Sequence, residues 1–464
     1  MAFLHRTVLL VFAMATAAVP VGTARAAFEA PVELGQGSYR AAGGSATDGA
    51  GKTTAILAGV KRGPRMVQRA SPTVPTAPSQ PLPGAELGRA VGPTVAAAGQ
   101  GALAVAWRID TPKRYGAIAV AVADPDGTLG APVVVSDRRA NGVRYPALAI
   151  DGTGRAVLAY NMGTRAVHLS LKGAIAISMR GAGKPFGTRT VLDRHASQRP
   201  AVAVGDDGRG IVAWARDRRV WAAPFDAGAG TVGKVVALTG AGPHNSVVAA
   251  AGPDGAATVA WVTRREVGSG TKQATRYAVQ AVHRADGESR FPKTPLTIAP
   301  ADRPGYTTTV AIAADEDGTT TVAWTQRILG NDRNAGISGI TASVQSATIG
   351  SAQKRFRPTI LHMPAGSQDC ETPAIAARAG RTVLAWSCND RRLGTVYTRS
   401  TTDGAATKAT PLLTHRLNSR TISQSTPVDV SLDAAGTSTI LTTTSEITDL
   451  TKPEVRRVLA ITGR

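Results

Sequence analysis

The side chains in this sequence that could do chemistry are above all cationic. Adjacent arginines recur as Arg138-Arg139, Arg218-Arg219, Arg264-Arg265 and Arg391-Arg392, and Arg144, Arg194, Arg199, Arg303 and Arg327 fall in comparable places. A guanidinium is a planar fork of donors that matches carboxylate, sulfate and phosphate. Neighbouring forks repel unless solvent, salt or an anionic ligand relieves them, so the repeated pairs point to an anion. Other chemistries find less support. A glycosidase needs two carboxylates about 5–10 Å apart. The acids near these arginines (Asp193, Asp217, Glu266, Asp302, Asp369, Glu371 and Asp390) read mostly as their charge partners. His195, His244 and His415 lack metal-ligand spacing, and Asp206-Asp-Gly208 and Asp315-Glu-Asp-Gly318 lack the ligand spacing of a calcium loop. No catalytic residue, metal or cofactor is expected.

The elements that carry these residues repeat. Pro200-Ala-Val-Ala-Val-Gly-Asp-Asp-Gly-Arg-Gly-Ile-Val-Ala-Trp214 alternates apolar and small residues up to an Asp-Gly turn, then alternates back to a tryptophan. Period two with a turn that tolerates positive φ is a β-hairpin. Counting six residues past the turn glycine gives Trp107, Tyr160, Trp214, Trp261, Trp324, Trp386 and Thr442, at intervals of 53, 54, 47, 63, 62 and 56 residues. A degenerate copy upstream, Asp48-Gly-Ala-Gly through Leu57, puts Leu57 in that register. A period near 50 marks an array of supersecondary units, and an aromatic once per unit reads as repeated core.

Two further strands follow each hairpin, as in Ala117–Ala123 and then Gly130–Val135. Prolines gather in the fourth, which suits an outer edge that need not donate to a neighbour. Four antiparallel strands repeated around a ring describe an all-β β-propeller. Seven clear units and the degenerate one make eight blades, with seven as the alternative. The last unit stops after three strands, and Phe28–Leu34 reads as the missing fourth, closing the ring and hiding an edge. The chain resembles the uncharacterised tandem-repeat β-propellers of secreted bacterial proteins, although it has no Trp-Asp strand ending, kelch double glycine or sialidase Asp-box. That resemblance implies architecture and no activity.

Residues 1–26 combine an early charge, a short apolar stretch and Ala24-Arg-Ala26, which is a secretory signal cleaved before Ala27. Residues 27–464 are then one propeller domain, exported, monomeric and without a membrane span. Residues 70–85 are proline-rich and expected to form a mobile loop. In an exported chain Cys370 and Cys388, facing each other across a hairpin, should form a disulfide.

Net charge is +21, and strand order sorts it. Turns between first and second strands hold the aspartates. The opposite rim, built from second-to-third and fourth-to-first connections, collects the arginines named above. The expected function is a non-catalytic binding scaffold whose arginine-rich face takes an anionic partner: cell-wall polymer, acidic glycan, lipid head groups or a protein. Nucleic acid is disfavoured because that face offers few aromatics for stacking. The alternative is a carbohydrate-active enzyme, glycoside hydrolase or lyase, on the same scaffold.

Overall fold

A computed structural model describes residues 28–463 apart from short stretches, chiefly between strands, of which the longest are 58–64, 70–78, 137–142, 164–172, 268–273, 330–339, 363–368 and 448–454. It is an eight-bladed β-propeller of antiparallel sheets, with almost no helix. The blades span residues 42–81, 89–134, 143–196, 201–237, 244–299, 305–362, 369–416 and 422–463. The innermost strand of each touches that of the next, and the last, Ile422–Leu432, returns to the first, Ala42–Thr47. The ring is closed.

The hairpin forms as its sequence dictates. In blade 4, Ala201–Val204 pairs with Arg209–Arg216 through the turn at Asp206-Asp207-Gly208, where Gly208 takes φ 83°. Gly154, Gly318 and Gly436 hold the same left-handed position at φ 84°, 80° and 75°. A side chain there would be strained, so glycine fixes the register of every hairpin that carries it.

The repeated aromatics are the mortar between blades. Trp107, Tyr160, Trp214, Trp261, Trp324 and Trp386 are all fully buried. Trp214 packs on Val157, Ala159, Ile175 and Ile177 of blade 3, and Trp261 packs on Ile211, Ala213, Val220 and Ala222 of blade 4. In the degenerate unit Leu57 takes this place, meeting Leu34, Leu441 and Ala460 of blade 8. Blade 1 is therefore a true blade, and the seven-blade alternative does not hold.

Closure uses the N-terminal strand. Val32–Gly37 pairs with Val455–Gly463 as the fourth strand of blade 8, and Phe28 bridges to Gly463. The strand begins four residues later than Phe28–Leu34 implies and runs on to Gly37. Hydroxyls line the seam between blades 8 and 1: Thr47 meets Thr53 at 2.9 Å and also Ser431, while Arg69 donates to Thr462 at 2.9 Å.

In blade 7, Cys370 and Cys388 are directly paired across antiparallel strands and form the expected disulfide, with Cα atoms 4.0 Å apart. Among the described residues no helix is long and apolar enough to cross a membrane. The signal segment and most of the proline-rich stretch lie outside the described residues.

Candidate functional site

The innermost strands line an axial channel. At the rim where fourth-to-first connections enter, it opens into a cavity of about 780 Å³ bordered by Pro146, Arg199, Ser246, Thr309, Pro373 and Asp429. The other mouth is bordered by Asp206, Asp315, Glu316 and Arg378. Acidic turn residues there are engaged locally. Asp151 accepts from Thr153 and Arg155, Asp433 from Thr437, and Asp315 from the Gly380 amide at 2.6 Å. Burial pushes the Asp315 carboxyl above its usual range. These contacts make the acidic turns part of the scaffold, and no cluster of metal-ligating side chains occurs among the described residues.

On the opposite rim one constellation stands out, at the junction of blades 3 and 4. Asp193 lies at the middle of the outer strand of blade 3, Thr190–Ala196, and is buried. Its carboxylate accepts the Trp214 indole N–H at 2.7 Å, Arg216 Nη1 at 3.0 Å and the His195 backbone N–H at 2.8 Å. One buried charge thus locks a tryptophan and an arginine of blade 4 to the strand that presents Arg194 and His195. The Arg216 guanidinium also lies over the Trp221 ring at 4.2 Å, with its Nε 3.2 Å from Asp217. Cation–π stacking and two carboxylates hold it rigid.

Asp217 and Arg218 form the two-residue turn of this hairpin, at φ 47° and 61°. That is a primed turn made without glycine. Non-glycine residues in the left-handed region cost roughly 1 kcal/mol each, and such outliers concentrate at functional sites. Tyr145, at φ 53° and 38% exposed, is another, at the start of the innermost strand of blade 3.

The arginines singled out in the sequence divide. Arg194, Arg199, Arg218, Arg219 and Arg265 are exposed on this rim and carry no ion pair among the described residues. Arg264 is exposed but paired with Glu266 at 3.0 Å. Arg327 turns into blade 7, donating to the Cys370 carbonyl at 3.1 Å with Glu371 3.8 Å away. Arg138, Arg139, Arg303, Arg391 and Arg392, with the side chain of Arg144, lie outside the described residues. Sequence reasoning missed the Arg216–Trp221 stack. Its signal was available: Trp221 is the one tryptophan outside the repeat register.

No family model matches the chain, and no curated protein is similar to it in sequence. The fold has counterparts among solved structures. The ulvan lyase of a new family of polysaccharide lyase is 11% identical, with 94% of this chain and 95% of that one covered at a TM-score of 0.49. The same lyase bound to -[GlcA(1-4)Rha3S]- is 10% identical over the same shares, also at 0.49. An α-L-arabinanase of Penicillium chrysogenum in complex with arabinobiose is 9% identical, over 68% and 92%, at 0.36. At such identities the likeness is one of fold.

The expectation of a non-catalytic scaffold is corrected by this finding: the solved structures that share the fold include polysaccharide lyases and an arabinanase. The physical reason lies in the argument made against catalysis. It rested on the want of a free carboxylate pair, which hydrolysis requires and elimination does not.

Proposed function

We propose that the chain is an exported carbohydrate-active enzyme that cleaves an acidic polysaccharide by β-elimination on the rim beside blades 3 and 4. The observation that carries this reading is the pairing of the acids. Asp193 and Asp217 are held by Arg216, Glu266 by Arg264, and Glu371 lies beside Arg327. Among the described residues this leaves exposed arginines and a histidine for chemistry, without the carboxylate dyad of a hydrolase.

Elimination at a uronate unit fits that inventory. A cation beside the substrate carboxylate makes the C5 proton more acidic, and a base removes it. The C4–O4 bond then breaks, a C4=C5 double bond forms, and the departing oxygen takes a proton. Arg194 and Arg199 serve as the cations, His195 as the base, and the Tyr145 phenol as the proton donor. Asp193 fixes the backbone that presents His195. Export is supported by the signal-like residues 1–26 and by the disulfide.

The test is incubation with polygalacturonate, alginate, heparin and ulvan, reading both the ultraviolet absorbance of the unsaturated product and new reducing ends. The reading expects both signals together, and their loss in His195→Ala with the fold intact. Reducing ends without absorbance would mean hydrolysis, and silence on every polyanion would overturn the reading.

A further inference from the structure

The blades do not rise to the same height on the arginine-bearing rim. In blade 4 the second and third strands stop pairing at Arg216 and Arg219, two residues past Trp214. In blade 5 they pair as far as Val267 and Ala274, six residues past Trp261, and in blade 6 to Leu329 and Ile340, five past Trp324. At ~3.3 Å per residue, blade 5 stands roughly 13 Å above blade 4. Blade 4 is therefore a ledge at the foot of a wall.

Cations outnumber acids on ledge and wall. Arg218 and Arg219 form the lip of the ledge, both exposed. Trp261 faces blade 4, so strand alternation turns Thr263 and Arg265 toward the ledge as well. Arg276 is the cross-strand partner of Arg265 on that same side. Arg194 and His195 stand exposed on the blade 3 side, and Arg199 lies at the channel mouth. The described acids nearby, Asp193, Asp217 and Glu266, are already engaged by Arg216 and Arg264.

We propose that the ledge over blade 4 is the path along which an acidic polysaccharide chain reaches the channel mouth, with Arg218, Arg219 and Arg265 selecting the polyanion and the blade 5 hairpin guiding it. The proposal rests on the enzymatic reading above and adds the substrate's route and the residues that choose it. A strained turn gives the reason for the ledge. A longer hairpin would remove the need for two left-handed non-glycine residues, but it would raise a barrier where the chain must pass. Four strands at ~4.8 Å spacing make the ledge roughly 15 Å deep, longer than a disaccharide, so affinity should climb with chain length before levelling.

Two variants test it on the full chain, with heparin and polygalacturonate fragments of graded length as probes and binding read separately from cleavage. Arg218→Gly with Arg219→Thr and Arg265→Thr removes three charges with residues suited to a primed turn and to strands. Inserting Thr-Val before Asp217 and Val-Thr after Arg218 lengthens the hairpin and removes no charge. Both should weaken polymer binding by about tenfold or more, and the first should flatten the salt dependence of log affinity by about two. Replacing Arg290, Lys354 and Arg355, exposed on the opposite face, by serine should change neither.

Unchanged polymer affinity in either ledge variant would overturn the path, as would binding of single-stranded DNA as tight as that of the polysaccharides. If the protein binds polymer through the ledge yet never yields unsaturated product, the enzymatic reading fails and the path stands. If it cleaves polymer and the ledge variants cleave equally well, the path fails alone.

Discussion

The indole N–H of Trp214 donates to the carboxylate of Asp193 at 2.7 Å, across the seam between two blades. The same carboxylate takes the charge of Arg216. In blade 5 the equivalent indole N–H, that of Trp261, donates to Gln280 of its own blade at 3.2 Å. The indole nitrogens of Trp107 and Trp324 are buried with no hydrogen-bond partner among the described residues. Blade 4 is thus tied to blade 3 by a polar contact added to the apolar packing that the repeat supplies.

Removing the hub should be costly in a graded way. Asp193→Ala strands a buried indole N–H and part of a guanidinium, and breaking such a pair from one side costs about 3–5 kcal/mol. Asp193→Asn keeps an acceptor and should cost about 1–3 kcal/mol. Thermal melting checks both values. Trp214→Phe should destabilise by more than Trp107→Phe, and equal losses would show that the cross-blade bond contributes nothing.

The disulfide supports the same rim in another place. Cys370 and Cys388 fix the short strand Asp369–Cys370, where the carbonyls of Cys370 and of the next residue, Glu371, receive Arg327 and Thr325 from blade 6. Closing a loop of this length is worth ~3 kcal/mol in the chain-entropy model. Cys370→Ala with Cys388→Ala should lower the melting temperature by that equivalent. Reducing agent should reproduce the loss in the unaltered protein and leave the double variant untouched. Two freely reactive thiols in the folded, unreduced protein would contradict the bridge.

A buried histidine makes stability depend on pH. His283 joins blades 5 and 6, with Nδ1 2.8 Å from the Thr258 hydroxyl and Nε2 3.0 Å from the Ser351 carbonyl. Burial lowers its pKa below 6.5, against a smaller opposing pull from Ser351. The unfolded chain therefore takes up a proton at a pH where the native chain does not. The contribution is complete above about pH 6.5 and is lost as pH falls toward the native value. Denaturant titrations between pH 7.5 and 5 should show this decline. His283→Gln should flatten it, and an unaltered pH profile in that variant would assign the decline elsewhere.

The sequence disclosed the architecture because its signals are local and repeated. Trp214, Trp261 and their equivalents share one register with the turn glycine, and each hairpin is written within about fifteen residues. Even blade 1 could be read, since Leu57 keeps the register without the ring. The site was less legible because its bonds cross blades. Asp193 acts on Trp214 and Arg216 from another sheet, and no spacing rule links them. Arg327 looked like a ligand-binding residue by position, yet its partners come from blade 7. The ledge was hidden as well, because it is a difference in strand length between neighbours and not a motif within one.

Ring closure offers a last test, since the two ends of the chain complete one sheet. Val32–Gly37 covers the edge of the strand Val455–Gly463, Leu34 is buried against Leu57, and the Phe28 ring lies over Gly463. A chain starting at residue 41 would leave that edge without its outer partner and the Leu34 site empty. An uncovered edge invites intermolecular pairing, so the truncated protein should melt lower and self-associate. A peptide of residues 27–40 added in trans should restore the melting temperature, because a strand held mainly by backbone pairing can be donated from outside. In the full chain Gly463→Val should mimic a partial opening, as its side chain would meet the Phe28 ring. Full stability of the truncated protein without the peptide would mean that the ring is held by the blade 8–blade 1 seam, through Thr47, Ser431 and Thr53, and that the closing strand is dispensable.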